Sequence, residues 1–125
     1  MSDGPRERRG RRAQALGLAA ETAACAALER DGWIVRARRL RTEAGEVDVI
    51  AERAGLLAIV EVKARPTLAG AAVTVTGRQR RRLLAAAAIV LGEHPEWGAG
   101  GVRFDVLLVD AAGAVRRVTD AFRME

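Results

Sequence analysis

A mixed α/β domain is what this sequence predicts, from three observations: a helical stripe of small apolar residues near the start, two apolar segments closing on Arg53-Ala54-Gly55, and a second helical run leading into a final hairpin. In the first helix, from about Gln14 to Arg30, Leu16, Ala20, Ala23, Ala24, Ala27 and Leu28 fall on one stripe, and Gly32 stops it. Trp33 to Arg41 alternates loosely and predicts a strand with an arginine-rich outer face. Val47–Glu52 and Leu56–Ala64 read as two further strands, followed by a loop from Pro66 through Gly70. Thr76 can cap a second helix from about Arg78 to Leu91, with Gly92 at its end. Glu93 to Gly101, with Pro95 and three glycines, is loop. Val102–Val109 and Ala114–Thr119 close the chain as a hairpin, and no internal repeat is visible. The 125 residues fit one domain, 13–125, behind a basic disordered arm, 1–12, that carries Arg6, Arg8, Arg9, Arg11 and Arg12.

Composition removes many chemistries. The sequence holds no Tyr and no Asn, a single Ser at position 2, a single His at 94 and a single Cys at 25. A Ser-His-Asp hydrolase, tyrosine-mediated strand transfer and a zinc site of Cys and His clusters are all excluded by count. The only lysine follows Val62, so there is no phosphate-binding Gly-Lys-Ser/Thr loop. One cysteine permits no internal disulfide, which suits a reducing, cytoplasmic location. The longest apolar run, Leu83 to Leu91, has nine residues, against the ~20 that span a bilayer. With 21 basic and 16 acidic residues, net charge +5, the expected partner is a polyanion, nucleic acid before membrane. Few aromatics accompany that charge, which favours phosphate binding over base readout. Carboxylates, arginines and one lysine must therefore carry any chemistry.

The strand Leu56–Ala64 concentrates that chemistry, because Glu61 and Lys63 interrupt an otherwise apolar run. Alternation places Leu57, Ile59, Glu61 and Lys63 on one face and Ala58, Val60 and Val62 on the other. In the preceding strand Glu46, Asp48 and Ile50 alternate with Val47, Val49 and Ala51. A two-residue turn at Ala54-Gly55 sets Asp48 opposite Glu61 and Glu46 opposite Lys63, and gathers the valines on one apolar face. Opposed carboxylates repel, and a divalent ion turns that cost into a site, since Mg²⁺ takes one or two carboxylates plus waters and phosphate oxygens. Glu21 lies at the edge of the first helix's apolar stripe, one turn after Gly17, whose missing side chain suggests clearance above the carboxylate. Among 21 basic residues Lys63 alone is not arginine, and a compact ammonium suits a water or a developing charge beside a metal.

Glu21, Asp48 and Glu61-Val62-Lys63 resemble the PD-(D/E)XK signature of the restriction-endonuclease-like superfamily. More closely, the chain resembles the bacterial YraN-like family of predicted endonucleases, which is similar to Holliday junction resolvases. The matching stretches are Gly17-x-x-x-Glu21-x-x-Ala24, Gly45 to Ile50, Val60 to Arg65, Arg78-Gln79 and Arg103 to Val106, within a span from about Gly17 to Phe122. That family usually carries Gly at the place of Ala20, Asn at Arg39 and Lys at Arg78. The resemblance implies a restriction-endonuclease-like mixed sheet of about five strands flanked by helices.

It also implies a metal-dependent endonuclease acting on structured or branched DNA. Asp48 and Glu61 would ligate Mg²⁺ or Mn²⁺, with Glu21 joining directly or through water. Lys63 would orient the attacking water, and Gln79 would touch the phosphate or position Lys63. Arg65 and the run Arg78, Arg80, Arg81, Arg82 would hold flanking phosphates. Analogy to resolvases implies a homodimer. The contrasting expectation is a noncatalytic nucleic-acid-binding module on the same scaffold, in which the acids and Lys63 form only an ion-pair network. On that reading Glu46 simply pairs with Lys63, Arg103 pairs with Asp105 as a structural pair, and Trp33, Trp97, Phe104 and Phe122 anchor the core; His94 has no role.

Overall fold

The computed structural model describes residues 4–71 and 75–122. Element order is α1 (Pro5–Arg30), β1 (Ile34–Thr42), β2 (Gly45–Arg53), β3 (Leu56–Ala64), α2 (Gly77–Glu93), β4 (Gly101–Val109) and β5 (Val115–Phe122). The helix–three strands–helix–two strands order expected from hydrophobic periodicity is the one observed. Its start differs: α1 begins at Pro5, whose fixed φ suits a first helical position, so the stretch read as an arm is helical from Pro5 onward. Residues 1–3 of that arm lie outside the described residues.

The five strands form one sheet in the order β1-β2-β3-β4-β5. β1, β2 and β3 run antiparallel, β3 and β4 parallel, and β4 and β5 antiparallel. The parallel step requires a crossover, and α2 supplies it. Each face of the sheet is covered by one helix. Against α1 pack Ala20, Ala24, Cys25 and Leu28 with Trp33, Val49, Ala51, Ala58, Val60, Leu107 and Val109. Against α2 pack Leu83, Ala86, Ala87 and Val90 with Val47, Ile50, Leu57, Ile59 and Phe104. Alanines on both helices let them sit close to the strands. Leu16, expected in the α1 stripe, is 59% exposed, and among the described side chains of α1 burial starts at Ala20. Trp33 and Phe104 are buried as expected, and Trp97 packs against the α2 side. Among the described residues no helix is long and apolar enough to cross a membrane.

Thr76 caps α2 as its sequence predicts, its hydroxyl accepting from the Gln79 amide at 3.1 Å. Gly32, at φ 85°, carries the chain out of α1 in the left-handed conformation that favours glycine. The turn at Ala54-Gly55 sets the β2–β3 register as expected, with Arg53 opposite Leu56 and Val49 opposite Val60.

One expectation about faces fails. Val47 packs on the α2 side and Val49 on the α1 side, although strict alternation puts them together. The cause is a kink shared by β1 and β2. Arg39 has a left-handed φ of 51°, and the pairing that runs through Arg38↔Val49 and Leu40↔Val47 lapses between them, where Arg39 stands opposite Asp48. Two successive side chains on each strand consequently turn to the α1 face: Arg38 and Arg39 on β1, Asp48 and Val49 on β2.

Candidate functional site

The β2–β3 ladder runs from the turn to Val49↔Val60 and stops. Beyond that pair the strands part, and the Asp48 carboxylate enters the gap, where its Oδ2 accepts from the Val62 amide at 2.8 Å. A side chain thus replaces a ladder bond, which keeps the Val62 donor satisfied while the strands fork. Asp48 then lines a cavity of about 210 Å³ with Gly17, Leu18, Glu21, Arg39, Glu46 and Val62. A Cβ on Gly17 would meet nothing within 4 Å, so the opening on that side is wider than one methyl group.

The kink is what brings Glu21 to this cavity with its charge already answered. Glu21 is 6% exposed, and it takes Arg38 Nε at 3.3 Å on Oε1 and Arg39 Nε at 3.6 Å on Oε2. Among the described residues no cation pairs with Asp48. Its carboxyl is pushed up from 3.8 to about 6, first by burial and then by the neighbouring charges of Glu61, Glu21 and Glu46, with the Val62 amide pulling the other way.

Glu61 approaches the fork from the other side of the sheet. Its Oε1 accepts from Arg82 Nη2 of α2 at 3.2 Å, and its Oε2 is buried with no hydrogen-bond partner. Asp48 and Glu61 therefore lie close enough to interact but do not share one sheet face, which corrects the flat side-by-side arrangement expected from ideal alternation. Lys63 is half-buried and lies on Glu61's face by strand alternation. Glu46 pairs not with Lys63 but with Arg41 of β1 at 3.6 Å, because β2 and β3 have parted before Glu46 and Lys63 could meet.

The remaining expected residues fall into two groups. Gln79 is engaged at the helix cap, its Oε1 accepting from Thr76 N at 3.0 Å and Thr76 Oγ1 at 3.3 Å. Arg82 is engaged by Glu61, and Arg65 donates to the Ala64 carbonyl at 2.8 Å. Arg78 and Arg81 are exposed on the first turns of α2. Arg103 and Asp105 form the expected structural pair at 3.1 Å. Among the described residues no three His, Cys, Asp or Glu side chains converge tightly enough to hold a metal by themselves. What the fork offers is a pair of carboxylates, one with an unused buried oxygen and one whose carboxyl is pushed up by burial, with Lys63 nearby along the strand.

Sequence reasoning missed the Arg38–Glu21–Arg39 cluster. One signal could have found it: the resembled family usually has Asn where Arg39 stands, and Asn is among the few residues at ease with a left-handed φ.

Residues 20–109 match the model described as Uncharacterised protein family UPF0102. A UPF0102 protein of Granulibacter bethesdensis is 62% identical over 117 residues, 94% of this chain and 74% of that protein. A UPF0102 protein of Azorhizobium caulinodans is 46% identical over 123 residues, 98% of this chain and 94% of its own length. One from Acidiphilium cryptum is 46% identical over 115 residues, covering 92% and 89%.

Proposed function

This chain belongs to the uncharacterised protein family UPF0102, and from that premise and the geometry of its fork we propose that it is a metal-dependent endonuclease hydrolysing phosphodiester bonds in structured or branched DNA. The observation that carries the reading is Glu61 Oε2, buried without a partner beside a second carboxylate that is itself poorly compensated. An unanswered buried acceptor costs about 1–3 kcal/mol, and more when charged. A hard divalent cation is the partner that would answer both carboxylates at once, since Mg²⁺ accepts two carboxylates and fills its other positions with waters and phosphate oxygens. In donor chemistry, two carboxylates suit Mg²⁺ or Mn²⁺. When bound, such an ion polarises a phosphoryl oxygen and makes its bound water more acidic.

In this proposal Asp48 and Glu61 would hold the ion, and the Val62 amide, donating to Asp48 Oδ2, would fix that carboxylate in place. Glu21, with an arginine on each oxygen, contributes through water and by anchoring Arg38 and Arg39. Lys63 orients the attacking water and answers charge developing on the phosphate. Arg65, Arg78 and Arg81 hold flanking backbone phosphates, which position a nucleic acid without reading its bases. Superfamily membership in the PD-(D/E)XK nucleases, a cytoplasmic location and a homodimer that cuts two strands belong to the same proposal.

A second reading has its own support. Glu21 is neutralised, and no trio of ligands converges among the described residues, as in a scaffold that binds nucleic acid without cutting it. One experiment separates the two. Duplex, flap, four-way-junction and single-stranded DNA are incubated with the protein and Mg²⁺ or Mn²⁺, beside Asp48→Ala and Glu61→Ala. The nuclease reading expects cleavage by the wild type and a loss of about 100-fold or more in each variant, with DNA affinity held within about twofold. Intact DNA in every wild-type lane, with affinity retained, establishes the noncatalytic module instead.

A further inference from the structure

Arg82 was expected to be one more phosphate contact, yet its surroundings are more specific than that. Its side chain crosses directly over Gly45: a Cβ built there would lie 2.8 Å from both Cγ and Cδ of Arg82. Gly45 has φ 138°, a conformation that L side chains rarely adopt, so backbone and empty space together make a seat for the Arg82 stem. From that seat Nη2 reaches Glu61 Oε1 at 3.2 Å. The pair is lopsided. One Glu61 oxygen meets a guanidinium that is 41% exposed, and the other is buried with nothing to meet it.

Resting on the metal-dependent reading above, we propose that Arg82 is a displaceable counter-ion latch: it holds Glu61 while the fork lacks a cation and transfers to a substrate phosphate once a divalent cation takes over the carboxylate. The physical basis is competition for one charge. A cation on Glu61 Oε2 would lie close to the Arg82 guanidinium on Oε1, and like charges at short range repel. An ion in the fork therefore weakens the Arg82–Glu61 contact. The guanidinium, already partly in solvent and flanked by the exposed Arg78 and Arg81 on the same helix end, is then free for a phosphate, whose geometry it matches in a two-pronged bond. Arg82 is a positioning residue in this scheme, since it acts through Glu61 before it touches any ligand. Metal and nucleic acid thereby strengthen each other's binding, a coupling that must be reciprocal.

The test uses the full chain, Mn²⁺ binding measured by titration calorimetry, and binding of a fluorescent DNA junction carrying uncleavable phosphorothioate linkages, with and without Mn²⁺. Removing the competitor in Arg82→Gln should tighten Mn²⁺ binding in the absence of DNA by about five- to tenfold, and should reduce the Mn²⁺-induced gain in DNA affinity from about tenfold to about twofold. Arg82→Lys, which keeps the charge and loses the fork geometry, should fall between. Circular dichroism confirms that each variant is folded. Mn²⁺ bound equally or more weakly by folded Arg82→Gln overturns the latch and leaves the metal reading standing. A wild type that binds no Mn²⁺ removes both, and the cleavage panel then shows the same failure independently.

Discussion

Two carboxylates four positions apart on β2, Asp48 half-buried and Glu52 buried, differ in almost every respect but residue class. Glu52 is 8% exposed and fully answered: Arg36 reaches its Oε1 through Nε at 3.0 Å and Nη2 at 2.8 Å, and the Gly98 amide donates to its Oε2 at 2.9 Å. The Gly98 amide and then the Arg36 guanidinium hold its carboxyl below the usual range. Asp48 is held up at about 6, first by burial and then by Glu61, Glu21 and Glu46, with the Val62 amide as its donor and no paired cation among the described residues. Burial alone does not mark a functional acid. Burial without compensation is the stronger pointer to one, and Asp48 carries it while Glu52 ties the loop after α2 to the sheet.

Breaking the compensated acid gives the largest expected change in stability. Glu52→Ala strands the Arg36 guanidinium and the Gly98 amide, and chemical denaturation should show a loss of about 3 kcal/mol. A loss under about 0.5 kcal/mol, the size of an ordinary surface substitution, would remove the contrast between the two sites. Because the folded-state carboxyl of Glu52 is lowered, its contribution is complete above the ordinary glutamate range and fades as pH falls toward and below the depressed value.

Neutralising the uncompensated acid has the opposite sign. Folding raises the Asp48 carboxyl from 3.8 to about 6, so the folded chain binds the extra proton in that window, and stability from this group falls as pH rises through it. Asp48→Asn keeps an acceptor for the Val62 amide and should be more stable than wild type at pH 7 by on the order of 2 kcal/mol, with the gain vanishing near pH 4. Melting curves at the two pH values check this, and a destabilised Asn variant at pH 7 contradicts it. On the nuclease reading the same substitution should also abolish metal-dependent cleavage, so that stability and activity move in opposite directions at the fork.

The smallest effect sharpens the boundary of the site. Gly17→Ala should stabilise α1 by about 1 kcal/mol, since glycine is the poorer helix former and the added methyl meets nothing within 4 Å. A lower melting temperature would mean that the cavity wall is tighter there than the open space above Gly17 indicates.

Much of this molecule was legible beforehand. Hydrophobic periodicity placed all seven elements, Thr76 marked the start of α2, and the Ala54-Gly55 turn with its flanking valines predicted the register that sets Val49 opposite Val60. The acids of the fork were legible too, because charged residues in an apolar strand stand out. Their orientation was not. Ideal alternation assumed an unbroken ladder, whereas the Arg39 kink turned Asp48 toward α1 and left Glu61 on the α2 side with Arg82. The partner of each arginine was equally hidden, since 20 of the 21 basic residues are arginine and sequence spacing does not say which guanidinium reaches which carboxylate.

By itself, then, the sequence determined the element order, the register of the central hairpin and the identity of the unusual strand charges, all of which follow from local patterning over a few residues. Only tertiary structure decided that Glu21 is neutralised, that Glu52 is compensated and that Asp48 is not. Those outcomes depend on contacts between residues 14 to 46 positions apart, among them Glu21 with Arg38, Asp48 with Val62 and Glu52 with Gly98, and electrostatic energy is set by distance in space and by burial, neither of which is written in sequence order.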